Sequence, residues 1–322
     1  MLPQLIVHAD WSVHSHKRWM VCAFLDTNSS YIIETPEPVG ELSTFLYRIK
    51  QRVNRKAAIM IGFDFPIGIP LAYARKAGIK GFLSLLPQLG KGEWKDFYRV
   101  AETSEQIHIH RPFYPNKPGS KCIRELLDGL NLSQIGDLRR QCEYIIPSRR
   151  TASPLFWTLG AQQVGKAAIN GWKEVIFPGL MDDYLNIAIW PFSGNLFDLL
   201  NTDRMILVET YPSEYLIQIV SPLPGKRFSK RSHIHRMNIS SFLLEWADKA
   251  NVKLETPLVE LIKLGFKEQI IGEDMFDAFV GLCKMIDVVT KWNPCFEPKE
   301  LTIREIEGWI FGKSVRHKIN NN

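Results

Sequence analysis

Five acidic residues stand at the ends of apolar runs, where a carboxylate has no packing role. Asp10 closes LIVHAD, Asp64 interrupts AAIMIGFDFP, Glu209 ends MILVE, and Asp274 and Asp277 lie three apart in GEDMFDAFVGLC. Beside apolar sequence an acid is costly unless it is paired, protonated or bound to a cation. Several acids gathered at one sheet edge would offer the hard oxygen ligands that Mg²⁺ or Mn²⁺ takes, at roughly 2.0–2.1 Å for Mg²⁺. Two such ions about 3.5–4 Å apart activate a water and stabilise a leaving oxygen, which is phosphoryl chemistry. Asp10, Asp64, Asp274 and Asp277 are the expected metal ligands, and Glu209 a further ligand or the group that orients the water. Taken singly, each also fits an ordinary turn or helix-start acid.

Phosphate chemistry calls for cations as well. Lys226, Arg227, Lys230, Arg231 and Arg236 occupy a stretch without acids that interleaves Phe228, His233 and His235, and Arg149 and Arg150 follow Pro147 and Ser148. Arg149, Arg150, Lys226, Arg227, Lys230 and Arg231 are the candidate substrate-phosphate contacts. Lys and Arg outnumber Asp and Glu by 40 to 34, a net charge of +6, which favours a polyanionic partner such as DNA or RNA. Five cysteines without a C-x-x-C pair disfavour a disulfide framework and a zinc site, and point to a reducing compartment. The histidine pairs lack a third nearby ligand, and GAQQVGKA misses the hydroxyl residue a phosphate-binding loop needs at Ala167. The N-terminal residues lack the basic region of a signal peptide and no run approaches membrane-spanning length, so a cytoplasmic protein without a membrane partner is expected.

The elements that must position these acids can be read from periodicity. Gln4 to Asp10, Trp19 to Leu25 and Tyr31 to Glu34 read as a strand meander, followed by a helix with Leu42, Phe45, Leu46 and Ile49 on one face. Ala57 to Phe63 reads as a buried strand stopped by Pro66, Gly68 and Pro70, and Met205 to Glu209 as a later strand. The last helix, from about Gly272 to Lys291, carries Asp274 and Asp277 in its first turns, where the helix dipole favours anions. This order predicts a single α/β domain with an RNase H-like mixed sheet and crossover helices. Its core would be residues 1–64 and 205–290, with a large mostly helical insertion at 65–204 and a C-terminal extension at 291–322.

At VHADWS, GFDFPIGIP, VETYPSEY, GEDMFDAF and EGWIFG the chain resembles the domain-of-unknown-function 429 family of RNase H-like predicted nucleases. The resemblance implies that fold and a metal-dependent nuclease site at Asp10, Asp64, Glu209, Asp274 and Asp277. Trp11 stands where a small residue is usual, next to Asp10. The expected function is a Mg²⁺- or Mn²⁺-dependent phosphodiesterase acting on DNA or RNA. A nucleic-acid-binding protein without hydrolysis, favoured if Trp11 crowds the metal position, and a hydrolase of a small phosphorylated metabolite are the alternatives.

Overall fold

The computed structural model describes residues 1–322 apart from 54–56, 118, 120, 145–152, 160–163, 221–227, 269–270, 292–295 and 315–322, and of 217–220 it describes the backbone alone. It is a mixed α/β structure built on one sheet. The strands are β1 (Leu5–Asp10), β2 (Trp19–Leu25), β3 (Tyr31–Ile33), β4 (Glu37–Pro38), β5 (Ile59–Phe63), β6 (Ile187–Ile189), β7 (Met205–Glu209) and β8 (Lys253–Leu254). They lie in the order β6-β7-β5-β1-β2-β3-β8, with β4 paired to β2. β1, β2 and β3 form the antiparallel meander, while β5 runs parallel to β1 and to β7. The parallel strands β1, β5 and β7 therefore bring their carboxyl ends to the same edge, where sheets of this kind gather their sites.

Alternation along each strand divides the core in two. Leu5, Val7 and Ala9 of β1, Ile59, Ile61 and Phe63 of β5, and Met205 and Leu207 of β7 face the helix Leu42–Lys50 and the insertion. Ile6, Met60, Ile206 and Val208 face the other way, toward the long helix Ile271–Thr290. The buried face of that helix approaches the sheet at two glycines. A Cβ at Gly281 would lie 2.2 Å from the His8 ring, and one at Gly62 would lie 2.4 Å from the Met285 sulfur. Only residues without a side chain let the helix backbone come this close, and the close approach sets Asp277, one turn before Gly281, against the end of β1.

Two features add to the sequence-based reading. Within the segment 65–204, Ile187–Ile189 adds a strand to the sheet beside β7, with Ala188 opposite Ile206. Three residues in mid-insertion are too few for a period to show in the sequence. The C-terminal segment also returns to the core: Ile310 bridges Glu209, and the Phe311 N–H donates to the Glu209 carbonyl at 2.8 Å. No described helix is long and apolar enough to cross a membrane.

Replacing Gly281 by alanine should destabilise the fold by about 1–3 kcal/mol through overpacking against fully buried His8. This outweighs the ~1 kcal/mol that alanine gains over glycine within a helix. Urea unfolding followed by circular dichroism checks it, and an unchanged midpoint would contradict the close approach.

Candidate functional site

Strand parity decides which acids meet. His8 and Asp10 share a face of β1, and Gly62 on β5 shares its face with Asp64, so both acids project toward the long helix that carries Asp274 and Asp277. The side chains of Asp10 and Asp64 lie within hydrogen-bonding reach of each other. Asp64 is also held by the Trp11 backbone N–H, which donates to its Oδ1 at 2.7 Å. Lys230 Nζ donates to Asp277 Oδ2, and Glu273 lies at the margin, 3.8 Å from the same ammonium. Among the described residues, Lys230 is the ammonium bonded directly into this cluster, through Asp277.

Burial and mutual repulsion hold protons on this cluster. The Asp10 carboxyl is raised well above the usual range by burial, and further by Asp64 and Asp277. Burial pushes Asp64 up to about 6, with the Trp11 N–H pulling the other way. Asp274 is raised to about 7, again by burial first. Its Oδ2 is buried with no hydrogen bond, an orphaned acceptor next to like charge. Asp277 is raised by burial despite Lys230, whereas Lys230 is raised because the attraction of Asp277 and its neighbours exceeds its own burial penalty. Beneath the cluster, fully buried His8 shares a 2.7 Å hydrogen bond with Thr210, and burial lowers its pKa to about 3, so it stays neutral.

Glu209 is not part of this group. In the β5–β7 register it pairs with Phe63, so it shares the insertion face, while the following Thr210 falls on the face of Asp64. There Glu209 meets Arg140, whose Nη1 and Nη2 donate to its two carboxylate oxygens at 2.6 Å each. The Ile67 N–H adds a third bond at 2.7 Å. The expected role of Glu209 as metal ligand or water-orienting base is thus corrected, since its acceptors are taken by a buried guanidinium. Thr210 and Arg140 are the residues that sequence reasoning missed. The period-two alternation of β5 and β7 was available to separate Glu209 from Asp64, but nothing in the sequence pairs Arg140 with Glu209 across 69 positions.

Trp11 does not crowd the acids. Its ring lies in the opposite core against Phe45, Phe63 and Phe65, with centroids 5.3 to 6.3 Å away, and its indole N–H donates to Asn170 at 3.1 Å. Of the expected phosphate contacts, Arg149, Arg150, Lys226 and Arg227 lie outside the described residues. Lys230 sits inside the acidic cluster, and Arg231 is exposed with Glu273 at 3.8 Å. Arg236 is buried and spends its donors on backbone carbonyls, among them Lys230 O at 2.5 Å, so it fixes the loop and does not offer a surface charge.

Among the described residues, one trio of metal-ligand side chains has its ligand atoms all within 4.8 Å of one another: Cys22, Glu34 and Glu37, remote from the site. Arg52 already compensates it, donating to Cys22 Sγ at 3.2 Å and reaching Glu37 at 2.5 Å. Asp10, Asp64, Asp274 and Asp277 are neighbours at a wider spacing than that trio. A cavity of about 40 Å³ opens beside Asp64, between the strand ends and the insertion. A larger one of about 300 Å³, lined by Met1, Leu2, Leu196, Phe197, Leu200 and Val289, offers no reactive side chain. No protein-family model matches the chain, and neither a curated protein nor a solved structure matches it significantly.

The two kinds of acid should respond oppositely to loss of charge. Asp10 has a folded pKa above its ordinary 3.8, so the folded state keeps a proton that the unfolded chain gives up. Its contribution to stability is full below that value and is lost as pH rises through the folded pKa. In chelator-treated protein, Asp10→Asn should therefore melt with the wild type near pH 3.8 and increasingly above it as pH rises toward 8. A constant difference across that range would reject the raised Asp10 carboxyl. Arg140→Met strands a buried carboxylate and should cost about 3–5 kcal/mol. Chemical denaturation of that variant measures the cost, and a loss below 1 kcal/mol would reject Arg140 as the partner that matters.

Proposed function

We propose that the protein is a divalent-metal-dependent phosphodiesterase of RNase H-like fold acting on nucleic acid. Asp10, Asp64, Asp274 and Asp277 would be the ligands of Mg²⁺ or Mn²⁺. One observation carries the reading: four carboxylates gather at the carboxyl edge of the parallel strands, each raised above its ordinary range by burial, with Asp274 Oδ2 buried and without a hydrogen-bond partner among the described residues. A chain that folds around such a penalty is suited to a cation that relieves it. The donor set, all carboxylate oxygen, fits a hard ion and not zinc or copper. The strand order β3-β2-β1-β5-β7, with its antiparallel meander beside parallel strands, supports the RNase H-like core, and the motif resemblance to the domain-of-unknown-function 429 family points the same way.

A bound divalent ion supplies Lewis acidity and an activated water. The rest falls to the chain. The Trp11 N–H fixes the Asp64 oxygen it binds and leaves the other free to act as a ligand. Asp10, whose carboxyl is raised by burial and by its acidic neighbours, would act as a ligand in its deprotonated form. The Lys230 side chain is about one-third exposed, at 32%, and on its release from Asp277 its ammonium becomes available to a substrate phosphate. Neutral His8, bonded to Thr210, keeps the floor of the site uncharged.

The Lys230–Asp277 ion pair also favours a second reading, in which the ammonium permanently replaces a metal and the protein binds nucleic acid without cutting it. Calorimetry with Mn²⁺, together with cleavage assays on single- and double-stranded DNA and RNA, separates the two. Asp10→Asn and Asp64→Asn should each lower metal-dependent cleavage by at least about 100-fold with folding intact. Wild-type protein that neither binds Mn²⁺ nor cuts any of these substrates would end the phosphodiesterase reading in favour of the binding one.

A further inference from the structure

Besides Asp64 and the buried carboxylates Glu143 and Glu209, the cavity is lined by two buried cations, Arg140 and Lys313. Their situations differ. The Arg140 guanidinium is fully committed, to both Glu209 oxygens, to Glu143 Oε1 at 3.0 Å and to the carbonyls of Ile67 and Glu307 at 3.2 Å each. The Lys313 side chain is 2% exposed, yet among the described residues its ammonium has one partner, Glu214 Oε2 at 3.3 Å, on a side chain that is itself 27% exposed. An ammonium carries three donors, and burying one with a single long contact is costly.

The chain nevertheless holds Lys313 in place. The Lys313 N–H donates to Ile310 O at 3.1 Å, and the Trp309 indole N–H donates to Lys313 O at 2.8 Å. Gly312 takes φ +75°, with the Val288 side chain 2.3 Å from where a Cβ would sit, so the turn that presents Lys313 requires glycine there. The hydrogen bond from Phe311 N–H to Glu209 O ties the same turn to the end of β7. At about 40 Å³ the cavity exceeds the roughly 10–15 Å³ that one water needs.

We propose that Lys313 is the phosphate-binding residue of the site. The cavity would receive a non-bridging oxygen of a phosphodiester, with Lys313 on one side and Asp64, with any cation it holds, on the other. This deepens the phosphodiesterase reading and rests on it for the substrate class. The spare donors of a buried ammonium supply the affinity, and Glu214 competes with the phosphate for them.

The test measures binding and not turnover. A fluorescent phosphorothioate oligonucleotide is titrated in Ca²⁺ at several salt concentrations, and Mn²⁺ affinity is measured separately by calorimetry. Lys313→Met should weaken oligonucleotide binding by about tenfold or more and reduce the slope of log affinity against log salt by about 0.7–0.9, one phosphate contact. Lys313→Arg should retain most of the binding, and Mn²⁺ affinity should stay at the wild-type value. Unchanged oligonucleotide affinity and slope in Lys313→Met would overturn the proposal, as would wild-type protein that takes up Mn²⁺ but not the oligonucleotide. Loss of Mn²⁺ binding by the wild type, with the Lys313→Met defect intact, would sink the metal reading and leave the phosphate site standing. If Lys313→Met does not fold, Glu214→Gln decides: tighter oligonucleotide binding supports the proposal, and unchanged or weaker binding overturns it.

Discussion

The Arg140 guanidinium is the interaction on which the arrangement of this molecule depends. It lies where three parts of the chain meet: the end of β7 through Glu209, the turn after β5 through the Ile67 carbonyl, and the C-terminal segment through the Glu307 carbonyl. Glu143 closes the circle by accepting from both the Arg140 backbone and its side chain. Glu307 takes the N–H groups of Leu71 and Gln141, so the acids around Arg140 also cap the backbone of the insertion. A buried pair of this kind adds little net stability over a well-packed apolar substitute, but leaving one partner alone is severe. Its value is positional, since it seats a 140-residue insertion on the sheet in one register.

The carboxylate cluster is built on the opposite principle. Around Arg140 the carboxylates of Glu209, Glu143 and Glu307 are each taken up by guanidinium or backbone N–H donors, whereas at Asp10, Asp64 and Asp274 burial, and at Asp10 the neighbouring acids as well, raise the carboxyls above their ordinary range. Natural chains place tension of this sort where a ligand relieves it, and compensate through rigid packing elsewhere. Here the rigid packing is the glycine-mediated contact of the long helix with β1 and β5.

Much of the fold was legible in the sequence, because β1, β2, β5, β7 and the long helix are long periodic segments bounded by proline or glycine. The short strands β6 and β8 were not, since two or three residues carry no period and are strands only through their neighbours. Within the site, Asp10, Asp64, Asp274 and Asp277 stood out because a charge that ends an apolar run is conspicuous. Glu209 stood out for the same reason and proved different, because the logic of an acid at a strand end ignores which face the acid takes. Lys230 and Arg236 looked like surface charge in a basic loop. One is bonded into the cluster and the other to backbone carbonyls, pairings that depend on the path of the loop and have no signature in composition.

The parity of the strands therefore sorts the charges of this edge into two chemistries. One step along β7 separates Glu209, which faces the insertion and its arginine, from Thr210, which faces His8 beneath the acids. The same step turns the ring of Trp11 into the insertion core while its N–H stays with Asp64. The cavity at Asp64 lies where these two faces come together, lined by Asp64 and Thr210 from one and by Glu209, Glu143 and Arg140 from the other, with Lys313. A phosphodiester needs both surroundings at once, a cation-binding oxygen cluster for the reacting phosphorus and a fixed positive charge for the oxygens that do not react. At this sheet edge the raised carboxyls lie on one face and the arginine-bound Glu209 on the other, the two surroundings that the proposed chemistry would use.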